Sequence, residues 1–350
     1  MSQFHLLTVT EIKKITSKAV RISFKIPENL TDAYTFVSGQ YVTLKTRLNG
    51  NEVRRDYSLC NTPNNHTLQV AVKQVENGTF SIFATTKLKV GDTLEVSKPN
   101  GRFTFVPDKA KKRTLAAFVA GSGITPVLSI IKTLLYEEPN SKIWLVYGNK
   151  SIDETMFFEE LVTLQNTYAS RFGIQFIFSQ TREKDALFGR IEPSTIRFIQ
   201  KNTFQNEPID AYYLCGPGEM ITTAKTLLLE QGVSESDIHF ELFTPVAPAT
   251  SQAISAKGET EVTVFLDDEA VSFSMPQTQT ILEAALKNNI DAPYSCQGGI
   301  CSTCIARLKE GKATMRQNNI LTDSELAEGL ILTCQAQPTT AKVVVDYDDV

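Results

Sequence analysis

Four cysteines in the last fifth of the chain have the residue type and spacing of a metal site. Cys296, Cys301 and Cys304 lie within nine positions in "PYSCQGGICSTCIARL", and Cys334 follows in "LILTCQAQ". The spacing is C-x4-C-x2-C, with twenty-nine residues before the fourth cysteine. A structural zinc site prefers two C-x2-C pairs, and only one such pair is present here. Four buried thiols or a zinc loop are therefore the weaker interpretations.

The same spacing occurs in plant-type ferredoxins, whose four thiolates hold a [2Fe–2S] cluster. The Gln-Gly-Gly stretch at 297–299 lies inside the cysteine loop, where small residues let backbone N–H groups point at sulfur. Residues 259–350 resemble these ferredoxins. The resemblance implies an α+β, β-grasp domain over 259–350 and a cluster that moves one electron at a time. The metal ligands that it implies are Cys296, Cys301, Cys304 and Cys334.

Two segments with different hydrophobic patterns precede the cysteines. Their secondary structure must position any other functional side chains. In 1–108, "AVRISFKI" alternates strictly, and "YVTLK", "LQVAVK" and "TLEVS" are further short strands between turn residues. This pattern predicts a barrel or sandwich, of which we expect an antiparallel β-barrel. In 109–245, the apolar runs "TLAAFVA", "KIWLVYG", "IQFIFS" and "AYYLC" alternate with helical patterns, which predicts a doubly wound parallel sheet. Residues 246–258 are small and polar, as in a linker. The fold class is therefore multidomain.

Composition limits the classes of partner. The 350 residues are enough for two or three domains, and a net charge of −4 does not favour nucleic acid or an anionic membrane. No apolar run approaches the ~20 residues that cross a bilayer, and "MSQFHLLTVTEIKK" does not have the pattern of a signal peptide. Cysteines kept as thiols or metal ligands are typical of a reducing compartment, so we expect a cytoplasmic protein.

The barrel segment contains a short motif, Arg55-x-Tyr57-Ser58, in "RRDYSL". Alone, this string is common and fits an ordinary edge strand. Placed in a β-rich domain directly before an α/β domain, it resembles the ferredoxin–NADP reductase superfamily, where the motif holds a flavin. The resemblance implies that Arg55 neutralises flavin phosphate, for which a planar guanidinium is suited. It also implies that Tyr57 lies against the isoalloxazine ring and that the Ser58 hydroxyl hydrogen-bonds near its N5.

A second flavin stretch of the superfamily matches "ENGTFS", although an Asn-Gly pair alone is an ordinary tight turn. The match implies a helix whose free N–H groups meet the pyrophosphate. The residues it assigns to this stretch are Gly78, Thr79, Phe80 and Ser81. Lys73, which ends "VAVK", is a further implied flavin contact. The "GTFS" element favours FAD, and FMN stays open because phthalate dioxygenase reductases share this domain order and use FMN.

The α/β segment opens with "FVAGSGITPVLS", in which Gly121 and Gly123 let the backbone approach a pyrophosphate and Pro126 suits a first helical turn. This is not the G-x-G-x-x-G fingerprint, and a lone G-x-G is weak. G-x-G-I-T-P, "YGNKS" and "CGPGEM" are, however, the forms found in the nicotinamide domain of the same superfamily. The nicotinamide-site residues that the resemblance implies are Gly121, Gly123, Thr125, Pro126, Asn149, Gly216 and Pro217.

Three residues are implied to act at the reacting centre, namely Ser58, Cys215 and Glu241. Cys215 ends a strand and would lie beside nicotinamide and flavin, although a lone cysteine there is equally consistent with a small core residue. Glu241 and Phe243, in "HFELFTP", line the flavin face in this family.

The choice between NADPH and NADH depends on "FSQTRE". Ser179 and Arg182 could bind a 2′-phosphate, for which arginine is the suitable partner. Glu183 could instead accept hydrogen bonds from a ribose diol, as in NADH enzymes. We expect NADPH, with NADH as the alternative.

The combined hypothesis is an NAD(P)H-dependent oxidoreductase that passes electrons through FAD and a [2Fe–2S] cluster to a protein acceptor, an oxygenase. On "YGNKS", "FELF" and "LTCQ" the chain is similar to the reductase components of ring-1,2-phenylacetyl-CoA epoxidases. One alternative is a reductase for another acceptor, such as a desaturase, a hydroxylase or another iron centre. The other is a non-enzymatic iron–sulfur carrier. Three scattered histidines argue against hydrolysis.

Overall fold

The computed structural model describes residues 4–63, 66–205, 207–243 and 258–350. These residues form two compact units, 4–243 and 258–350. The predicted linker, 246–258, lies outside the described residues except for Gly258. The predicted domain limits, 1–108, 109–245 and 259–350, therefore stay predictions.

The first sheet of unit 4–243 is antiparallel and has the order β4-β3-β6-β1-β2-β5. Its strands are β1 Phe4–Thr16, β2 Ala19–Lys25, β3 Tyr41–Leu48, β4 Asn51–Ser58, β5 Thr67–Lys73 and β6 Thr93–Ser97. A bridge between Leu59 and Val70 joins the two edge strands, so the sheet closes as a barrel. Helix α1, Thr79–Thr86, follows β5. Val20, Ile22 and Phe24 of the predicted apolar face of β2 are buried, but Ser23 of the opposite face is buried as well.

The second sheet of this unit is wholly parallel. Its strands are β7 Thr114–Ala120, β8 Lys142–Asn149, β9 Phe172–Phe178, β10 Leu187–Phe188, β11 Ala211–Gly216 and β12 Ile238–Leu242. The helices between them are α2 Ile124–Glu137, α3 Phe158–Thr167, α4 Pro193–Asn202 and α5 Gly218–Glu230. The order β10-β9-β8-β7-β11-β12 reverses between β7 and β11. Ligands of such sheets bind outside the carboxyl ends of the strands at this switch point.

The barrel and the parallel sheet share one hydrophobic core. Phe103 and Phe105, which follow the last barrel strand, are buried together with Leu115 and Ala117 of β7 and much of α2. Buried hydrogen bonds add to this packing: Ser129 of α2 donates to the Asn61 carbonyl at 2.6 Å. The two sheets are therefore packed as one body.

An ion pair fixes the segment that connects the two sheets. Glu138 is fully buried and accepts hydrogen bonds from Arg113 Nε at 3.1 Å and from the Asp108 backbone N–H at 2.8 Å. The Arg113 guanidinium also lies 4.6 Å from the centre of the Phe105 ring. Burial raises the pKa of Glu138, but the hydrogen bonds from Arg113, Ser141 and Asp108 together hold it below its ordinary value. The carboxylate is therefore the stable form.

Unit 258–350 contains a five-stranded mixed sheet and a two-stranded one. Its strands are β13 Glu259–Leu266, β14 Glu269–Pro276, β15 Ile305–Glu310, β16 Ala313–Met315, β17 Leu330–Leu332, β18 Ala336–Pro338 and β19 Lys342–Asp346. The order is β14-β13-β19-β15-β17, with β13 and β19 parallel, and β16 pairs with β18. The helices are α6 Ile281–Lys287 and α7 Asp323–Ala327. This mixed sheet with α6 packed into its core is the predicted α+β arrangement.

Local chemistry explains two elements of this unit. The β13–β14 turn uses Asp267 and Asp268, both with positive φ (53° and 62°), as tight hairpins require. Helix α6 begins after Thr280, whose side chain and that of Glu283 form a capping box. No helix among the described residues has the length and apolar character to span a membrane.

Candidate redox sites

Ser58 and Glu241 meet at the end of the barrel strand β4. The Ser58 hydroxyl is buried and donates to Glu241 Oε2 at 3.2 Å, across 183 positions of sequence. Glu241 lies in β12, the strand beside β11. Burial raises the pKa of Glu241 to about 8; the hydrogen bond from Ser58 opposes the rise, and the charge of Asp56 adds to it. The Glu241 carboxyl therefore holds a proton near neutral pH.

Cys215 lies beside this pair. It is fully buried in β11 and is the register partner of Glu241 in β12. Burial, followed by the charge of Glu241, raises the pKa of Cys215, so the side chain is a neutral thiol. The three residues predicted to act at the reacting centre are thus neighbours through one hydrogen bond and one strand pairing.

The two predicted flavin motifs meet through aromatic side chains. The rings of Tyr57 and Phe80 have centroids 5.4 Å apart, inclined at 36°. Phe80 lies in the first turn of α1, which begins at Thr79 with Gly78 as its N-cap. A Cβ at Gly78 would lie 2.3 Å from Ser81 Oγ and 3.1 Å from the Val75 carbonyl oxygen, so any other residue would force Ser81 to shift. The binding of a phosphate by the N–H groups of this first turn stays a prediction.

The two predicted flavin cations have different surroundings. Arg55 is exposed in β4, and its NH1 donates to the Arg54 carbonyl at 2.7 Å. Lys73, at the end of β5, forms an ion pair with Glu154 at 3.6 Å. Its flavin contact stays a prediction, whereas the pair with Glu154 was not predicted from sequence.

The glycine turn after β7 packs against the end of β11, at the switch point. Residues Gly121–Gly123 form a 3₁₀ turn, so α2 begins at Ile124, two residues before the predicted start near Pro126. Gly121 has φ +56°, and its carbonyl accepts from the Tyr147 hydroxyl at 2.8 Å. A Cβ at Gly123 would lie 2.3 Å from the Cys215 carbonyl oxygen. Only glycine allows this approach.

Other predicted nicotinamide-site residues surround the same turn. The Thr125 hydroxyl donates to the Ser122 carbonyl at 3.0 Å, and Pro126 is buried in α2. Gly216 ends β11, where a Cβ would come within 3.2 Å of Ala120 Cβ, and Pro217 is the N-cap of α5.

Two buried polar atoms at the carboxyl ends of β8 and β9 make no hydrogen bond among the described residues. They are Asn149 Nδ2 and Thr181 Oγ1. Buried polar groups are normally paired, so these are groups that a bound nucleotide can satisfy. Ser179 bonds through its backbone N–H to the Asn149 carbonyl at 3.0 Å. Arg182 is exposed and lies over the Phe188 ring, 4.3 Å from its centre.

In unit 258–350, the four predicted ligands form two pairs of hydrogen-bonded thiols. Cys301 donates to Cys296, and Cys304 donates to Cys334. No group of three His, Cys, Asp or Glu side chains within the described ranges converges as a single metal ion requires. Two pairs of thiols fit a two-iron cluster, in which each iron takes two thiolates, better than they fit zinc.

Hydrogen bonds within the loop favour the thiolate form of Cys296. The Gly298 N–H donates to Cys296 Sγ at 3.3 Å, and hydrogen bonds from Cys301 and from backbone N–H groups lower the pKa of Cys296. Gln335 Nε2 donates to the Gln297 carbonyl at 2.8 Å and lies 3.6 Å from Cys334 Sγ. Gln335 was not singled out from sequence, although a polar residue directly after Cys334, in the buried run 330–338, could have indicated it.

Comparisons with known proteins agree with this geometry. Three family profiles match: an oxidoreductase FAD-binding domain at 6–105, an oxidoreductase NAD-binding domain at 118–226 and a 2Fe-2S iron-sulfur cluster binding domain at 264–339. The chain is 38% identical to one component of the 1,2-phenylacetyl-CoA epoxidase from Escherichia coli, over 99% of both chains. The chain belongs to the ferredoxin–NADP reductase superfamily, in the group with a carboxyl-terminal [2Fe–2S] domain.

Two further similarities agree with this family assignment. The chain is 31% identical to the ferredoxin reductase component of 3-ketosteroid-9-alpha-monooxygenase from Rhodococcus rhodochrous, over 98% of this chain and 96% of that one. The structure of phthalate dioxygenase reductase, described as a modular structure for electron transfer from pyridine nucleotides to [2Fe-2S], superposes with a TM-score of 0.61. Its identity is 26%, over 98% of each chain.

These matches confirm several predictions. The reductase is an NAD(P)H-dependent oxidoreductase with an antiparallel FAD domain, a parallel nicotinamide domain and a [2Fe–2S] domain. FAD was predicted over FMN, and the matched flavin profile is an FAD-binding one. The roles of single site residues are not tested by these matches and stay predictions.

Proposed function

We propose that the reductase takes electrons from NADPH and passes them, by way of FAD and the [2Fe–2S] cluster, to the oxygenase component of a phenylacetyl-CoA epoxidase-type system. The support for this acceptor is 38% identity with a component of 1,2-phenylacetyl-CoA epoxidase over nearly the whole of both chains. The relative from Rhodococcus rhodochrous is named as part of a monooxygenase, so an oxygenase is the acceptor class in both.

The observation that carries the proposal is the meeting of Ser58, Cys215 and Glu241 at the switch point of the parallel sheet. When bound, FAD accepts hydride and the cluster transfers single electrons. The Ser58 hydroxyl, held in place by its bond to Glu241, is the group that contacts the flavin edge. The protonated Glu241 and the neutral Cys215 thiol keep this position free of negative charge, which suits a centre that receives electrons.

The flavin is held, in this proposal, by residues of β4 and α1. Tyr57 supplies an aromatic face, and Phe80 supports it from the first turn of α1. The exposed Arg55 guanidinium and the α1 N-terminus offer positive charge to a pyrophosphate.

NADPH is proposed over NADH because two hydroxyl groups and an arginine follow β9, beside the carboxylate of Glu183. Ser179, Thr181 and Arg182 lie there, and the Thr181 hydroxyl lacks a partner among the described residues. An Arg182→Ala variant is expected to lose roughly tenfold of its preference for NADPH over NADH in kcat/KM, since one charged hydrogen bond is removed. Arg197→Ala, an exposed arginine on α4, is the matched control. An unchanged preference in Arg182→Ala would reject NADPH selection by this residue.

The test of the whole proposal uses the purified holoprotein under anaerobic conditions. NADPH is expected to bleach the flavin bands and then the cluster bands. A Cys304→Ser, Cys334→Ser double variant should still bleach its flavin but should not support turnover by a phenylacetyl-CoA epoxidase oxygenase component. Full turnover by that variant would refute the cluster's place in the path. Turnover with a 3-ketosteroid monooxygenase oxygenase, and none with the epoxidase, would support the alternative acceptor.

We also propose a cytoplasmic location. No disulfide bond joins the cysteines of the described residues, as expected in a reducing compartment. Cell fractionation that recovers the flavin-containing protein outside the cytoplasmic fraction would contradict this.

A further inference from the structure

Thr333 joins the two cysteines of the second thiol pair. It directly precedes Cys334 and is fully buried. Its hydroxyl donates to the Cys304 carbonyl at 3.0 Å, and its backbone N–H donates to the same oxygen at 3.1 Å. Thr333 is thus covalently bound to one ligand and doubly hydrogen-bonded to the other. Its position sets the spacing between the backbones of Cys304 and Cys334.

Tyr347 extends this connection to the last strand of the sheet. It lies just after β19, is 6% exposed, and packs in the core that contains Cys304 and Cys334. Its hydroxyl donates to Thr333 Oγ1 at 2.9 Å. The single proton of the Thr333 hydroxyl is used on the Cys304 carbonyl, so Tyr347 must be the donor in this bond. The bonds run in one direction, from Tyr347 through Thr333 to Cys304.

A phenol at this position needs an explanation beyond packing. A phenylalanine would fill the same apolar space, and burying a hydroxyl is costly unless it is hydrogen-bonded. The hydrogen bond that the Tyr347 hydroxyl donates goes to the residue that spans the thiol pair. Groups that lie behind metal ligands orient them, and a chain of hydrogen bonds polarises its members.

We propose that Tyr347, acting through Thr333, is a positioning residue that holds Cys304 and Cys334 in the geometry required by the cluster. The hydrogen bonds of this chain end on the backbone carbonyl oxygen of Cys304. This inference depends on the [2Fe–2S] domain alone. It holds or fails independently of the nucleotide preference and the acceptor under "Proposed function".

The experiment uses the full-length holoprotein and the variants Tyr347→Phe, Thr333→Val and Thr333→Ser. Loss of iron to a ferrous chelator is followed from the cluster absorbance, and the dithionite-reduced cluster is examined by EPR. Tyr347→Phe is expected to release iron about 3- to 10-fold faster, the factor that one hydrogen bond carries. Thr333→Val should release it at least about 10-fold faster, and Thr333→Ser should restore the wild-type rate because the hydroxyl is kept. The EPR g-values should shift in Tyr347→Phe and Thr333→Val only.

Tyr34→Phe is the matched control. Tyr34 is a buried tyrosine of the barrel unit whose hydroxyl donates to the Val96 carbonyl at 2.7 Å. It should leave iron release and the EPR signal unchanged. Wild-type release and EPR in Tyr347→Phe would overturn the proposal. If Tyr347→Phe does not accumulate as folded protein, the two Thr333 variants decide, and equal behaviour of Val and Ser overturns it.

Discussion

The hydroxyl of Ser58 and the carboxyl of Glu241 are 3.2 Å apart, and their bond joins the barrel to the parallel sheet. Neither domain could form this pair alone, since Ser58 ends β4 and Glu241 lies in β12. The proposed hydride-receiving site is therefore a product of how the two sheets pack.

Ser58→Ala is expected to slow flavin reduction by NADPH on the order of 10²-fold, the effect of removing one hydrogen-bonding group at a reacting centre. Anaerobic stopped-flow absorbance at the flavin band measures this. Ser97→Ala is the control, because its hydroxyl bonds only backbone groups of the same barrel, Thr43 N–H and the Lys98 carbonyl. Equal rates of flavin reduction in the two variants would show that Ser58 does not act at the reacting centre.

The pKa of Glu241, raised to about 8, predicts a pH dependence of stability. A carboxyl whose folded pKa lies above its unfolded value binds its proton more tightly in the folded state. Its contribution is complete below about pH 4.5 and is lost as pH rises toward 8. The temperature at which heating releases the flavin should therefore decrease as the pH is raised from 5 to 8 in the wild type. The decrease should be smaller in Glu241→Gln. Parallel curves for the two proteins would contradict the raised pKa.

Glu138→Gln is expected to destabilise unit 4–243 by about 3 kcal/mol, because it leaves Arg113 without its buried counter-charge. Urea unfolding followed by fluorescence of Trp144, the single tryptophan, measures this unit directly. Because the pKa of Glu138 is lowered, its contribution is present above about pH 4.5 and is lost as pH falls through that lowered pKa. The difference between variant and wild type should therefore shrink in acid.

The control for Glu138 is an exposed ion pair of the same unit. Glu235 lies 2.7 Å from Lys225 on the surface, and such pairs contribute below about 1 kcal/mol. Glu235→Gln should therefore unfold close to the wild-type midpoint. If Glu235→Gln lost as much free energy of unfolding as Glu138→Gln, burial of the ion pair would not explain the effect at Glu138.

Gly123→Ala should destabilise unit 4–243 by about 3 kcal/mol or more, since the new Cβ would lie 2.3 Å from the backbone oxygen of Cys215. Gly148→Ala is the control, because its Cβ would first meet the movable end of Ile191 at 3.3 Å. Trp144 fluorescence during urea unfolding compares both. A Gly123→Ala midpoint equal to that of Gly148→Ala would show that the turn after β7 can move away from β11.

The features that could be predicted from sequence are those determined by residues close together along the chain. Cysteine spacing reports a loop of fixed length, and it correctly indicated the [2Fe–2S] domain. Strict alternation predicted β2, and the Gly78–Ser81 stretch correctly predicted the start of α1. In each, the physical determinant lies within a few neighbouring residues.

Contacts between distant residues were not predictable in this way. The pairing of Lys73 with Glu154 and that of Arg113 with Glu138 depend on which surfaces the two sheets bring together. The same holds for Gln335, whose amide reaches back to the loop at Gln297. The residues adjacent in sequence do not determine which distant residues pack around a side chain. Such partners are therefore identified only from the three-dimensional structure.

The common core of the barrel and the parallel sheet limits how this protein can evolve. A genetic crossover between the strands β6 and β7 would separate Phe103 and Phe105 from the apolar surface of β7 and α2 that covers them. The two parental halves of such a chimera would have to fit each other across that surface in order to pack. Substitutions in this shared core are therefore expected to affect the barrel and the parallel sheet together.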